Sequence, residues 1–244
     1  MLDGKVVVIT GAGGGLGKEL VKAFLEQGCK VAAIARSGDP FAANAPSAKD
    51  RYAFFQADVA NFAQVAQAVE QIISRFGQID VLFNNAAVYP KVSFLKESAD
   101  EFNAAIGINV GGVANCCKAV LPNMIKNGFG RIYNVGSFAD YAPIPKSAAY
   151  SASKGALHGL TKGIAADVDE LNLNIQIHEW MPGHLNTQMS DFTGIDPALS
   201  ASWAMSIVRN DNASKKNSVF ENDHEWFPPK SLKQRIKSKL MFWV

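Results

Sequence analysis

Residues 5–17 read KVVVITGAGGGLG: an unbroken β-branched run, a cluster of five glycines, then the start of an amphipathic segment. The run at residues 5–10 predicts a strand buried on both faces, because no polar residue alternates through it. Residues 16–27 predict a helix, with Leu16, Leu20, Ala23, Phe24 and Gln27 at helical spacing and Gly28 as its stop. The same alternation continues outward. Strands are expected at residues 31–35, 52–57, 79–83, 131–135 and 174–180, with a weaker one at 218–220. Helices are expected at residues 62–76, 99–126 and 148–170, with a weaker one at 197–209. Alternating strands and helices imply a parallel sheet covered on both faces: an α/β fold with a single Rossmann-type doubly wound sheet of about seven strands. Residues 36–51 break the pattern with Pro40 and Pro46, so the helix expected there is short or missing. No linker or repeat divides residues 1–229, which read as one domain, followed by a tail at 230–244.

Composition agrees with a globular chain. Of 244 residues, 48% are hydrophobic and 19% charged, so no disulfide or metal staple is needed to bury a core. The net charge of +2 gives no bulk case for nucleic-acid binding. Cys29, Cys116 and Cys117 form no CxxC; the adjacent pair reads as helix packing in a reducing compartment. Asp3 and the short apolar run after it do not make a signal peptide, and no apolar stretch is read as long enough to span a membrane. The expected location is the cytoplasm.

A glycine cluster placed between a first strand and a helix is the arrangement that holds a dinucleotide pyrophosphate. Gly11, Ala12, Gly13, Gly14, Gly15, Leu16 and Gly17 are its expected backbone contacts, aided by the positive end of the helix. Two spacings are open: Gly11, Gly15 and Gly17, or Gly11, Gly14 and Gly17. After the second strand stands no acid but Arg36 and Ser37, with Asp39 further along. A carboxylate there would bind a ribose 2′-hydroxyl and a cation a 2′-phosphate, so NADP(H) is expected over NAD(H).

Tyr150 and Lys154 lie four apart in YSASK and share a helix face. A phenol is a poor acid or base at neutral pH, and a neighbouring ammonium favours its phenolate, so the pair reads as a general acid/base. Ser137 follows the fifth strand, at the sheet end where ligands sit, and Asn109 is an unexpected amide among Ile106, Ile108 and Val110.

Together with Asp58–Val59, NNAA at Asn84 and PGHLNT at Pro182, these motifs stand in the order found in the short-chain dehydrogenase/reductase family, which residues 2–189 resemble in its roughly 250-residue form. The resemblance selects the Gly11, Gly15, Gly17 spacing. It implies Tyr150 as proton donor to a carbonyl or base towards an alcohol, and Lys154 holding the nicotinamide ribose and acidifying Tyr150. Ser137 would polarise the substrate oxygen, and Asn109 would hold a water linked to Lys154. It further implies Asp58 and Val59 at the adenine, Asn85 and Ala86 on the ribose side, and Pro182, Gly183, Leu185 and Thr187 beside the nicotinamide. The small-molecule carbonyl or alcohol substrate would meet Ser137, Tyr150 and His184. A lid is expected at residues 184–203, with Met189, Phe192, Phe138, Tyr141 and Tyr89 as candidate walls. A non-catalytic cofactor-binding scaffold, or an epimerase or dehydratase using the cofactor transiently, are the alternatives on the same fold.

The chain departs from that family at Ala87, and at His178, Glu179 and Trp180 in the sixth strand, where His178 reads as a core histidine bonded to backbone. The glycine-rich ending is absent, which leaves the form of the expected homo-oligomer open. Residues 230–244 carry five basic groups and no acid, whereas the remaining 19 basic groups face 22 acidic ones. With Leu232, Ile236, Leu240 and Trp243 on one helix face, the tail is expected to pack on its own protein or a neighbouring subunit, with weak membrane-surface contact as the alternative.

Overall fold

A computed structural model of the chain describes residues 2–41, 50–210 and 217–227. Its sheet runs β3-β2-β1-β4-β5-β6-β7-β8, where β1 is Val6–Thr10, β2 Lys30–Ala35, β3 Tyr52–Gln56, β4 Val81–Asn84, β5 Phe129–Val135, β6 Asn174–Met181, β7 Val219–Glu221 and β8 His224–Glu225. Seven strands are parallel, and β8 folds back antiparallel on β7. The eighth strand exceeds the expected seven because two residues are too few to show a period of two.

Strand β1 shows why its run is apolar throughout. Val6 and Val8 face one buried cluster, with Val65, Ile72, Val113 and Leu157. Val7 and Ile9 face the other, with Leu16, Leu20, Phe24 and Ala204. Each such side chain contributes about 1.5–3 kcal/mol on full burial. The first cluster is closed by α2 (Phe62–Phe76), α4 (Gly112–Asn127) and α5 (Ala148–Asp169), the second by α1 (Gly15–Glu26) and α6 (Pro197–Arg209). At the far end of the sheet Asp80 accepts from Lys5 Nζ and the Val6 N–H, both at 2.8 Å, which fixes β1 beside β4.

Helix starts follow local chemistry. Asn61 accepts the Gln64 N–H at the start of α2. Ser98 and Glu101 form a reciprocal capping box at α3 (Ala99–Ile106). Asp196 caps α6 ahead of Pro197. The single long helix expected at 99–126 is interrupted by a π turn at Gly107–Gly111 before α4 resumes. Contrary to the sequence reading, Ala99–Asn127 is long and apolar enough by composition to cross a membrane, with mean hydropathy 1.4 over its best window. Here Val113, Cys116, Cys117, Val120 and Met124 of α4 are buried against the sheet as core. Cys116 and Cys117 are the packing residues expected; burial pushes the Cys117 thiol up to about 12.

The basic tail expected at 230–244 lies wholly outside the described residues, and so do residues 42–49 of the crossover expected at 36–51. Residues 1, 211–216, 228 and 229 of the expected 1–229 domain lie outside them too.

Candidate active site

The strand order reverses between β1 and β4, and the carboxyl ends of those strands open the crevice in which open α/β sheets bind ligands. Thr10 ties the two ends together: its hydroxyl accepts the Asn85 N–H (3.0 Å) and the Ala86 N–H (3.1 Å) and donates to the Phe83 carbonyl (3.3 Å). Asn85 Nδ2 donates to the carbonyls of Thr10 (2.9 Å) and Gly11 (3.3 Å). The Asn85 amide nitrogen therefore shapes the glycine loop itself, and its neighbour Ala86 lines the cleft.

The loop chooses its own glycines. Gly11 has φ +66°, and a Cβ there would sit 2.8 Å from Ala86 Cα. A Cβ on Gly17 would sit 2.3 Å from the Gly11 carbonyl oxygen. Gly15 also has positive φ, whereas Gly14 is extended, with nothing within 4 Å of its would-be Cβ. The required set is Gly11, Gly15 and Gly17, in agreement with the spacing the resemblance selected.

Helix α1 begins without a side-chain cap and without an acid in its first turn, so its leading N–H groups are open to an anion. A half-open cleft of about 190 Å³ runs from Gly11, Gly13 and Gly14 past Arg36 and Ser37 to Asp58, Val59 and Ala86. Bare backbone facing open space at an uncapped helix start fits a dinucleotide. Ala12 and Leu16 lie buried behind the loop, where the Ala12 N–H donates to the Ile34 carbonyl at 3.2 Å. Asp58 Oδ1 accepts the Ala60 N–H at 2.9 Å, which orients it at the cleft wall. Asp39 is turned to other work: it accepts from the Phe41 N–H (2.9 Å) and the Tyr52 hydroxyl (2.5 Å).

Packed along β6, α5 carries Tyr150 and Lys154 on successive turns. A buried ladder sets that helix on the sheet: Asn84 Nδ2 donates to Asn134 Oδ1 (2.8 Å), and Asn134 Nδ2 donates to Thr161 Oγ1 (2.9 Å). Lys154 is buried, and its Nζ donates to the Val135 carbonyl at 2.6 Å. The same ammonium lies 5.5 Å from the Tyr150 ring centroid. The Tyr150 ring stacks on Tyr89 with centroids 4.8 Å apart. Ser137, held by its bond from the Ala139 N–H (3.1 Å), reaches the Tyr150 hydroxyl.

The electrostatics differ from one expectation. Burial raises the Tyr150 phenol above its ordinary value; the Ser137 hydrogen bond opposes this, and Tyr89 adds slightly to it. Lys154 therefore does not dominate the acidity of Tyr150 as expected. Burial instead acts on the lysine, which falls to about 8 while Glu179 pulls it back up. Asn109 lies buried in the π turn. Its Oδ1 accepts the Val88 N–H (2.8 Å), and its Nδ2 donates to the Val88 carbonyl and to Ser153 Oγ (both 2.9 Å). With both amide protons engaged, the side chain clamps the segment after β4 to α5, so any water at Asn109 would have to donate to one of its carbonyl oxygens.

A sequence profile described as short chain dehydrogenase matches residues 5–196. The chain belongs to the short-chain dehydrogenase/reductase family. It is 32% identical over 193 residues to a 3-oxoacyl-[acyl-carrier-protein] reductase of Thermotoga maritima, covering 78% of each chain. Among solved structures, it resembles a 3-ketoacyl-(acyl-carrier-protein) reductase of Brucella melitensis complexed with NADH, at 26% identity and TM-score 0.82, over 91% of this chain and 97% of that one. It also resembles a variant of ElxO with NADPH bound, at 25% identity and TM-score 0.80, over 89% and 96%. The protein is thus an oxidoreductase of the carbonyl/alcohol type that uses a nicotinamide cofactor.

The rest of this dehydrogenase's site is built by the segment after β6. Pro182 is buried, and its carbonyl accepts from Ser200 Oγ at 3.0 Å. Gly183 turns the chain at φ +86°, Leu185 bridges to Ile195, and Thr187 Cγ2 lies 3.3 Å from a would-be Cβ on Gly15, over the glycine loop. The expected lid at 184–203 is shorter than its reading. From Pro197 onward the chain is α6, whose Ser200, Ala201 and Ala204 are core. His184 bonds within the lid, Nε2 to Thr193 Oγ1 at 2.9 Å. Met189 and Phe192 are exposed, and Phe138 and Tyr141 gather with Trp226 into an aromatic group after β5.

Three features escaped the sequence reading. Lys91 pairs with Asp191 at 2.6 Å and lies 5.8 Å from the Tyr89 ring, linking the lid to the ring stacked on Tyr150. No spacing joins positions 91 and 191. His158 Nδ1 lies 2.8 Å from Glu179 Oε2, and the one acid in the sixth strand was its only signal. Tyr89 was named as a wall but not as a stacking partner. His178 is the core histidine expected: Nδ1 accepts the Ser218 N–H (3.1 Å), Nε2 faces Gln176 Oε1 (3.1 Å), and its ring stacks on Tyr133.

Proposed function

We propose that this oxidoreductase is an NADP(H)-dependent carbonyl reductase, working equally as the reverse alcohol dehydrogenase, with Tyr150 as its general acid/base. The observation that carries the reading is Tyr150 under the influence of the Ser137 hydroxyl and one helical turn from the buried Lys154, in a chain that also builds a bare glycine cradle. When bound, the nicotinamide supplies the hydride. A substrate carbonyl oxygen at Ser137 and Tyr150 gains negative charge as its carbon is reduced. Tyr150 gives that oxygen its O–H proton, and Ser137 donates a hydrogen bond to the same oxygen. A phenol raised by burial holds its proton until the alkoxide forms, and the Lys154 ammonium then offsets the phenolate left behind. In the oxidative direction the same groups run in reverse.

The preference for a 2′-phosphate rests on Arg36 at the mouth of the cleft and on Asp39 being bonded to Tyr52 instead of facing it. Asp58, Val59 and Ala86 would border the adenosine, and Pro182, Leu185 and Thr187 the nicotinamide end. The deciding experiment is Tyr150→Phe assayed for NADPH oxidation across ketones, keto-sugars and 3-oxoacyl thioesters. The expected loss in kcat is roughly 10²- to 10⁴-fold with cofactor affinity retained. Wild-type turnover by that variant on a true substrate would end the Tyr150 reading.

A further inference from the structure

Tyr150, Lys154 and His158 occupy three successive turns of one face of α5, and a strand acid stands behind them. Glu179 is buried in β6, where its Oε2 meets His158 Nδ1 at 2.8 Å. Its other oxygen lies over the backbone of β5: a Cβ on Gly136 would sit 2.3 Å from Oε1 and 2.8 Å from Cγ. Only glycine at that position leaves room for the carboxylate. The peptide next to it presents the Val135 carbonyl to Lys154 Nζ. A buried carboxylate, a partly exposed histidine and the buried site lysine are thereby gathered about the end of β5, between β6 and α5.

We propose that Glu179 is a positioning residue for the reaction: oriented by His158 against the Gly136 backbone, its carboxylate is the counter-charge that keeps Lys154 an ammonium. The proposal rests on Lys154 being the cation beside Tyr150. Its physical basis is that a lysine this deeply buried tends to lose its proton unless an anion compensates. Glu179 is the charge that acts on Lys154 in that sense. The carboxylate is itself disfavoured by burial and by Asp140 from the turn after β5, and is favoured by His158 and Lys154 from α5. Tyr141 faces the same acid. On its outer side His158 borders a crevice of about 20 Å³, beside Thr161, Lys162 and Ser218, wide enough for one water. His158 is partly exposed on that side, whereas Lys154 is buried.

The test follows the ¹³Cε resonance of Lys154 against pH in the full chain without added cofactor, the signal being identified by its loss in Lys154→Met. The wild-type midpoint is expected near 8. In Glu179→Gln, which keeps the shape and removes the charge, the midpoint should fall by about one unit. The pH at which NADPH-dependent turnover is half lost on the alkaline side should fall with it. His158→Ala gives the same direction, because an acid without its donor protonates more readily; this variant decides the matter if Glu179→Gln does not fold. An unchanged midpoint in folded Glu179→Gln, or in His158→Ala where that variant stands alone, overturns the proposal. A lowered midpoint together with full activity in Tyr150→Phe would leave Glu179 as the counter-charge of Lys154 and remove the Tyr150 chemistry instead.

Discussion

At the scale of single residues, Lys154 carries a clear electrostatic cost of burial. Its proton affinity drops from the ordinary lysine value of 10.5 to about 8 on folding. The unfolded chain therefore binds more protons than the folded one between those values, and stability rises with pH across that window. Below pH 8 the burial costs on the order of 3 kcal/mol. Lys154→Met should therefore gain stability against wild type most at pH 7, and the difference should shrink as pH rises from 8 to 10.5. Urea midpoints for both proteins across pH 7–10.5 measure this; a difference that does not change with pH would contradict it. The lost bond to the Val135 carbonyl lowers the whole curve but not its slope. The spacing of Tyr150 and Lys154 was legible in the sequence because one helix face is a local property. The balance of their protonation was not, because burial, Tyr89 and Glu179 come from β4's loop and β6, which no local pattern joins to α5.

At the scale of elements, the glycine loop and the lid behave differently. A Cβ on Gly17 meets main-chain oxygen, which cannot swing aside as a side chain can. Gly17→Ala should displace the loop, weaken NADPH binding at least tenfold and lower the melting temperature, read by fluorescence titration and calorimetry. The lid is held more lightly. Asp191 is largely exposed, and such a pair contributes about 0–1 kcal/mol. Asp191→Ala should leave the melting temperature nearly unchanged, yet speed amide exchange across residues 188–193, where Asp191 and Phe192 both hold positive φ. Unchanged exchange would mean that the Lys91 pair does not restrain the lid. Strand and helix positions were readable because apolar periodicity is strong in β1, α1 and α2. The π turn at Gly107–Gly111, the two-residue β8 and the boundary between lid and α6 were not, since each depends on tertiary partners such as Val88, β7 and α1.

At the scale of the whole molecule, the reversal of strand order places the glycine cradle and Arg36 around one crevice, and the alternation of strands and helices was enough to predict the parallel sheet that carries it, though not the order of its strands. What the alternation did not reveal is how strongly binding in that crevice is coupled to stability. A ligand that binds only the folded chain stabilises it by an amount set by its concentration over its Kd. That amount is about 2.7 kcal/mol at a hundredfold excess over Kd. For a chain of this size each kcal/mol moves the melting temperature by roughly 2–4 °C. NADPH at that excess should thus raise it by about 5–10 °C. If Arg36 binds the 2′-phosphate, NADH at the same concentration should raise it less. Arg36→Ala should bring the NADPH shift down to the NADH level while leaving the NADH shift intact, because the glycine cradle and the start of α1 serve both cofactors alike. Scanning calorimetry of both proteins with each reduced cofactor makes the comparison. Equal shifts for the two cofactors in the wild type would remove Arg36 from the cofactor's recognition and leave the loop as its sole anchor.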